Sequence, residues 1–442
     1  MSLPRYPEYK DSGVDWLGEV PAHWQVQPLK TRYTVVGGST PKSDVAEYWD
    51  GDINWVTPAD LSKLSGFEIH GSLRRITDVG LQSCGTTLVP SGSLILSTRA
   101  PIGSLGLATT GVCTNQGCKA LVPQSGEQSR FAAYALSIAG PALNVRGKGT
   151  TFLELSGDEL ASFRLAFPER QEQGAITSFL DRETAKIDAL IVEQEKLLAL
   201  LAEKRQATIS HAVTRGLDPN APMKDSGVPW LGEVPAHWEV RPLKSIVATP
   251  ITDGPHETPA FLDEGVPFVS AEAVSGGTVN FDKIRGYISV EDDARYSQKY
   301  RPQLHDIYMV KSGATTGVTA IVEGRTDFNI WSPLAAIRCR QAIAHPYFIL
   351  SYLRSRNFQE GVALNWSFGT QQNIGMGVLG DLPVALPPKD EQREIAKFLE
   401  DKLRGLSALE LSAERAVPLL RERRSALIAA AVTGQIDVRR CA

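Results

Sequence analysis

The sequence predicts an α+β protein in which two globular mixed α/β domains are separated by two long antiparallel helices. The helices form an intramolecular coiled coil, and the whole is pseudo-two-fold symmetric. Three observations predict this. Lys10 to Lys30 reads KDSGVDWLGEVPAHWQVQPLK, and Lys224 to Lys244 reads KDSGVPWLGEVPAHWEVRPLK. The segment from Pro168 to Asp218 realigns without a gap on Pro387 to Asp437. Between these matching blocks the two halves differ almost everywhere, so a constant frame holds two different inserts.

Residues 1–167 form the first globule. Short β-branched and aromatic runs (Ile53 to Val56, Leu94 to Ser97, Cys118 to Val122) alternate with Gly, Pro, Ser and Asp turns, the pattern of short strands joined by loops. Residues 168–216 form the first long helix. Ile176, Leu180, Ile187, Leu190, Ile191, Leu197, Leu198, Leu201 and Ile209 recur at helical spacing, and the positions between them are good helix formers. Arg215-Gly216 supplies its stop. Residues 217–386 form the second globule, with strand-like runs at Pro267 to Ser270, Asp306 to Val310 and Leu334 to Cys339. Residues 387–442 carry the second long helix, striped by Ile395, Leu399, Leu403, Leu406, Leu409, Ala413, Ala416, Leu420, Leu427 and Ala431. It stops near Thr433-Gly434. Pro418 lies inside it and is expected to kink or split it, because proline removes a helical hydrogen bond.

A helix of about 40 residues is on the order of 60 Å long, more than one small domain can cover. Two such helices with matching apolar stripes bury them against each other.

Composition limits the function classes. The chain has 442 residues, 42% hydrophobic and 22% charged, as expected of a soluble protein with several domains. No run approaches the roughly 18 apolar residues of a membrane span. The N-terminus lacks the basic-then-apolar order of a signal peptide. Five scattered cysteines make no CxxC pair and no disulfide framework, which points to the reducing cytoplasm. Cys113 and Cys118 read as buried thiols rather than metal ligands. Net charge is −4; residues 1–167 carry 14 basic and 15 acidic side chains, and residues 224–386 carry 14 and 17. That balance argues against a chain binding DNA by itself, unless basic residues cluster in space or partners supply the positive field.

Enzyme signatures are missing: no phosphate loop, GxSxG elbow, HExxH helix or GxGxxG fingerprint occurs. Asp50 and Asp52 read as solvated turn residues. The repeated cassette holds Trp16, Trp24, Trp230 and Trp238, four of eight tryptophans. A feature common to both halves cannot distinguish two ligands, so these read as packing at the base of each globule.

The cassette YKDSGVxWLGEVPAHWxVxPLK resembles the specificity subunit of type I restriction-modification systems. So do LAFPERQEQGAITSFL (Leu165 to Leu180), VALPPKDEQREIAKFL (Val384 to Leu399) and the ending RRSALIAAAVTGQIDV (Arg423 to Val438). Within the halves, Gly37 to Leu61 and ITDGPHETP (Ile251 to Pro259) are similar to family elements as well. The resemblance spans essentially the whole chain, and Pro418 is the visible departure. It implies two target-recognition domains, each reading one half of a bipartite double-stranded DNA site with an unspecified spacer. It implies that the helices set the spacer and dock two methyltransferase (modification) subunits, through which two restriction subunits join. The subunit itself is then non-catalytic and binds no cofactor; S-adenosylmethionine, ATP and Mg belong to its partners. Half-sites on one face of B-DNA lie roughly 34 Å apart, within the reach of such helices. A two-headed protein–protein scaffold without DNA binding is the alternative.

Base edges favour Arg or Lys for guanine and Asn or Gln for adenine, with Ser and Thr less selective. DNA-contact candidates in the first globule are therefore Thr40 and Lys42, Arg74 and Arg75, Thr98 and Arg99, and Arg146 and Lys148. In the second they are Thr252 and His256 in the DGPH loop, Lys311, Ser312 and Thr315, and Ser367, Thr370, Gln371 and Gln372 in SFGTQQ. Arg99 and Lys311 are expected to serve opposite half-sites.

Overall fold

The structure, a computed structural model, describes residues 4–99, 101–124, 127–148, 153–368 and 372–440, with the side chains of 367, 368 and 440 left aside. The chain divides into two compact units, residues 1–194 with 415–442 and residues 195–414. The division cuts both long helices, whereas the sequence suggested four consecutive segments. All six strand-like runs overlap strands, with Ser270, Asp306, Arg338 and Cys339 just outside the strand ends.

In the first unit a five-stranded sheet runs in the order Tyr33–Gly37, Cys118–Pro123, Leu94–Ser97, Leu105–Ala108, Glu68–Ile69. Beside it a three-stranded sheet has Trp49–Val56 between Val112–Thr114 and Arg74–Ile76. The second unit repeats this plan. Thr252–Asp253, Leu334–Ile337, Ile307–Val310, Thr319–Ile321 and Gly277–Val279 follow in the same order, with Val274–Ser275 added at the edge. Val266–Val269 lies between Gly286–Ile288 and Asn329–Ile330. Strand directions agree throughout: Val112–Thr114 and Asn329–Ile330 both join the small sheet in parallel, and the remaining pairs match likewise. The central strands Leu94–Ser97 and Ile307–Val310 are buried along their whole length, which explains why they read as continuous apolar runs rather than alternating ones.

The repeated cassette forms the base of each unit. Gln25–Pro28 pairs antiparallel with Arg164–Phe167, and Glu239–Pro242 pairs with Pro383–Leu386, the strands that lead into the long helices. Trp24 and Trp238 are fully buried. Each meets a phenylalanine edge-on, Phe131 at 6.1 Å and Phe348 at 6.3 Å. Each indole N–H donates to the first-turn glutamate of its helix, Glu172 at 3.2 Å and Glu391 at 3.0 Å. His23 and His237 contact the second oxygen of those carboxylates, both at 2.8 Å.

The long helices span Arg170–Arg215 and Lys389–Val432. In the first unit the opening of one lies beside the closing turns of the other, an antiparallel arrangement tied by Arg424 to Asp188 at 2.8 Å. In the second unit the roles are exchanged, and Arg205 grips Glu410 through two bonds of 3.1 and 2.6 Å. Gly216 and Gly434 end the helices at φ +74, left-handed geometry that glycine adopts without strain. Gly434 also lies so close to Pro21 that a Cβ would clash with its ring, whereas Gly216 meets Pro235 and Trp238 at ordinary contact distance. The end of the second long helix thus packs on the first cassette.

Two helix expectations are corrected. Pro418 does not split the second helix, which continues through it. The residue is exposed, as is Glu414 four positions earlier, so water can satisfy the carbonyl that proline leaves unbonded. Leu190, Leu197 and Leu409, assigned to the buried stripes, are exposed. A straight helix drifts relative to a seven-residue repeat, so part of a long stripe rotates out of the seam.

Candidate nucleic-acid interface

In the first unit, two indoles fix the loop that holds Thr40 and Lys42. Trp49 Nε1 donates to the Lys42 carbonyl at 3.1 Å and Trp55 Nε1 to the Ser39 carbonyl at 3.0 Å. The Arg74 guanidinium lies 3.5 Å from the Trp49 ring centroid and 5.7 Å from that of Trp55. A guanidinium held over an indole ring keeps N–H groups available for a carboxylate, phosphate or guanine edge. Thr40 hydrogen-bonds the side chain of exposed Gln116, and Gln116 belongs to the loop whose Gly117 carbonyl accepts the Thr98 amide at 2.8 Å. Arg99 follows and pairs with Glu154 at 2.8 Å, and Glu154 exchanges backbone hydrogen bonds with Lys148.

Thr40, Lys42, Arg74, Arg99 and Lys148 are therefore joined by one chain of contacts, although they span more than 100 residues of sequence. Lys148 and Arg146 face Glu159 at 2.8 and 3.7 Å. The hydrogen bond from Lys148 holds the Glu159 carboxyl below its usual pKa and the lysine above its own. Arg75 is exposed on the strand neighbouring Arg74, where alternation turns it to the other face. Thr98 is corrected: its side chain is fully buried and its hydroxyl donates to Gly117, because it continues the fully buried central strand.

The second unit builds its surface at the equivalent place with other residues. Trp331 Nε1 donates to the Glu257 carbonyl at 3.1 Å and so pins the DGPHETP loop. Arg285 lies 4.9 Å from the Trp331 ring and 6.0 Å from Phe261. Within the same loop Asp253 is fully buried. It is hydrogen-bonded by Lys299, and its Oδ2 faces His256 at 3.1 Å and Lys311 at 3.3 Å. Burial alone would raise the Asp253 pKa, but Lys299 and then Lys311 outweigh it and hold the carboxyl below its usual range. Lys311 occupies the backbone place of Thr98, its amide bonded to the Pro333 carbonyl at 2.7 Å. Ser312 bridges to Asn373, and the Gly313 amide donates to the Gln372 carbonyl at 3.0 Å.

Thr252, His256, Lys311, Ser312 and Gln372 are thus brought together, with exposed Thr315 in the turn between strands. Thr370 and Gln371 lie outside the described residues. Ser367 is described only as backbone, in a strand paired with Gln372–Asn373.

Sequence reasoning missed Gln116, Arg285 and Lys299. Arg285 was findable: IRGYIS and LRRITD both bring an arginine to a strand that ends on the Ser or Thr cap of an acidic helix. Lys299 has no such local signal.

Nothing among the described residues resembles a metal centre, since no group of three or more His, Cys, Asp or Glu is placed to hold an ion. Burial pushes the Cys113 and Cys118 thiols up to about 12. No helix among the described residues is long and apolar enough to cross a membrane.

Residues 21–198 and 235–414 each match the family model for the type I restriction modification DNA specificity domain. The chain belongs to this specificity family. It is 27% identical over 361 residues to the type I restriction enzyme MjaIX specificity subunit of Methanocaldococcus jannaschii, covering 78% of this chain and 79% of that one. It is 25% identical over 325 residues to the EcoBI specificity subunit of Escherichia coli, covering 72% and 68%. Among solved structures, the HsdS subunit of Thermoanaerobacter tengcongensis superposes with a TM-score of 0.57 at 16% identity, over 94% of this chain and 98% of that one. A chain from a structural study of type I R-M complex assembly and conformational transition superposes at 0.71 and 17%, over 93% and 98%. At those identities the likeness establishes the specificity-family fold, and the chemistry rests on the residues described above.

Proposed function

We propose that this chain is the non-catalytic DNA-specificity subunit of a type I restriction-modification enzyme. Each unit reads one half of a bipartite double-stranded DNA target, and the long helices set the spacer and dock two modification subunits. Two restriction subunits join through those, and the assembly works in the cytoplasm. S-adenosylmethionine, ATP and Mg are carried by the partners. One observation carries this reading: two units of the same strand order present unlike cationic and amide-bearing loops around corresponding strands. A shared scaffold with different polar tips suits two readings of base sequence.

Docking is supported by apolar side chains left exposed on the helices: Leu190, Val192 and Leu419 in the first unit, and Leu197, Leu200, Leu409 and Leu411 in the second. The net charge of −4 is compatible with DNA binding when partner subunits supply further phosphate contacts.

The test is the methylated motif of a host expressing the complete system with Arg74→Ala or Arg285→Ala. Each substitution is expected to relax one half of the motif only, at a cost of about 1–3 kcal/mol in discrimination at the contacted base. Relaxation of the same half by both would refute the division of labour. A parent complex showing no salt-sensitive, sequence-selective DNA binding would favour a protein–protein scaffold instead.

A further inference from the structure

The buried carboxylate of Asp253 sits among more positive charge than it needs. It ends the edge strand Thr252–Asp253, and the next residue, Gly254, runs so close to the Ile330 carbonyl that a Cβ would come within 2.0 Å of its oxygen. The backbone there is pinned, and the side chain points to groups from three separate segments. Lys299 follows the helix Val290–Tyr296, Lys311 follows the strand Ile307–Val310, and His256 lies in the same loop. A buried carboxylate requires a partner, and one lysine balances its charge. Oδ1 takes the Lys299 hydrogen bond, while Oδ2 has ion-pair contacts and no hydrogen bond. Two lysines leave the cluster with an excess positive charge even with His256 neutral.

The two lysines are placed differently. The Lys311 side chain is only 12% exposed, so it is locked, whereas Lys299 is 49% exposed and can reach an outside group. An ammonium carries three N–H donors, and a carboxylate that takes one of them orients the rest. Among its described residues the first unit has no counterpart. The strand register puts Gly37 opposite Lys119 where the second unit has Asp253 opposite Ala335, and Thr98 stands in the place of Lys311.

We propose that Asp253 is a positioning residue that holds Lys299 and Lys311 as a phosphate clamp for the DNA backbone at the second half-site. The second unit then carries a share of salt-dependent binding that the first does not. This inference rests on the DNA-reading function above. The ligand chemistry is a phosphodiester oxygen rather than a base edge, because compact ammonium groups fixed by a carboxylate supply charge and no planar donor pattern.

The experiment uses the full chain co-purified with its modification subunits and titrated with a duplex bearing the bipartite target across a range of salt. Each phosphate contact contributes about 0.9 to the slope of log affinity against log salt. Lys299→Ala should flatten that slope by about one contact. It should leave the methylated motif unchanged, and Lys299→Arg should retain the parent slope. Asp253→Asn should weaken binding and flatten the slope by about one to two contacts, as both lysines lose their anchor. Binding by Asp253→Asn that equals or exceeds the parent would overturn the proposal, since a carboxylate that merely neutralised the lysines would free them on removal. An unchanged slope for Lys299→Ala, or a base change in its motif, would overturn it too. If Asp253→Asn does not fold, the half-exposed Lys299 variants decide alone. Absence of selective binding by the parent would instead remove the DNA-reading function on which the clamp depends.

Discussion

The first unit fixes its loops with aromatic rings, and the second does so with a buried charge as well. In the first, Trp49 and Trp55 lie 5.1 Å apart and hold two loop carbonyls, and Arg74 lies over the Trp49 ring. In the second, one indole and Phe261 serve Arg285, while Asp253 draws two lysines and a histidine to the neighbouring loop. The sheets beneath have the same order and directions. Strand order is therefore far less demanding of sequence than the loops it carries. Many apolar residues can fill a buried strand, but a given polar tip needs its own support.

The largest effect should come from the part that does not differ. Trp24→Ala and Trp238→Ala each remove a fully buried indole and the donor to Glu172 or Glu391, at a cost of about 3–5 kcal/mol apiece. Urea unfolding of the two variants should give similar losses, and a gap above about 2 kcal/mol would break the equivalence of the two bases.

An intermediate effect should separate the Asp253 position from its Gly37 counterpart by pH. The folded-state pKa of Asp253 is depressed, so it contributes stability above its unfolded value of about 3.9 that is lost as pH falls through the lower folded value. Asp253→Asn should therefore melt below the parent near neutral pH, and the gap should close in strong acid. A gap that persists there would point to shape rather than charge. Gly37, at the matching position of the first unit, has no group to titrate.

The smallest effect concerns the ties between helices. Arg205→Ala and Arg424→Ala each remove one partly exposed ion pair and should cost about 1 kcal/mol or less in thermal or urea unfolding. The bidentate Arg205 pair should be the costlier of the two. The reverse order would show that geometry does not govern these contacts.

The frame was legible because its signals are local. Helical periodicity, the glycines that end each long helix and the duplicated cassette depend on residues near in sequence, and the six strand-like runs overlap strands for the same reason. Site residues were legible by type and only partly by place. Thr98 has the right chemistry for a base edge, but the central strand carries it into the core. Arg285 and Lys299 went unnoticed because the rings and the carboxylate that define their roles come from other segments.

By itself the sequence determined the repeat, the long helices and the family, all of which follow from short-range patterns. Only the tertiary structure decided that Leu190, Leu197 and Leu409 face outward, that Pro418 is accommodated, and that the end of the second helix packs on the first cassette. It also decided which cations stand beside Asp253. Such outcomes depend on which distant segments meet and on what a buried charge or an unbonded carbonyl can reach there, and a linear pattern does not encode them.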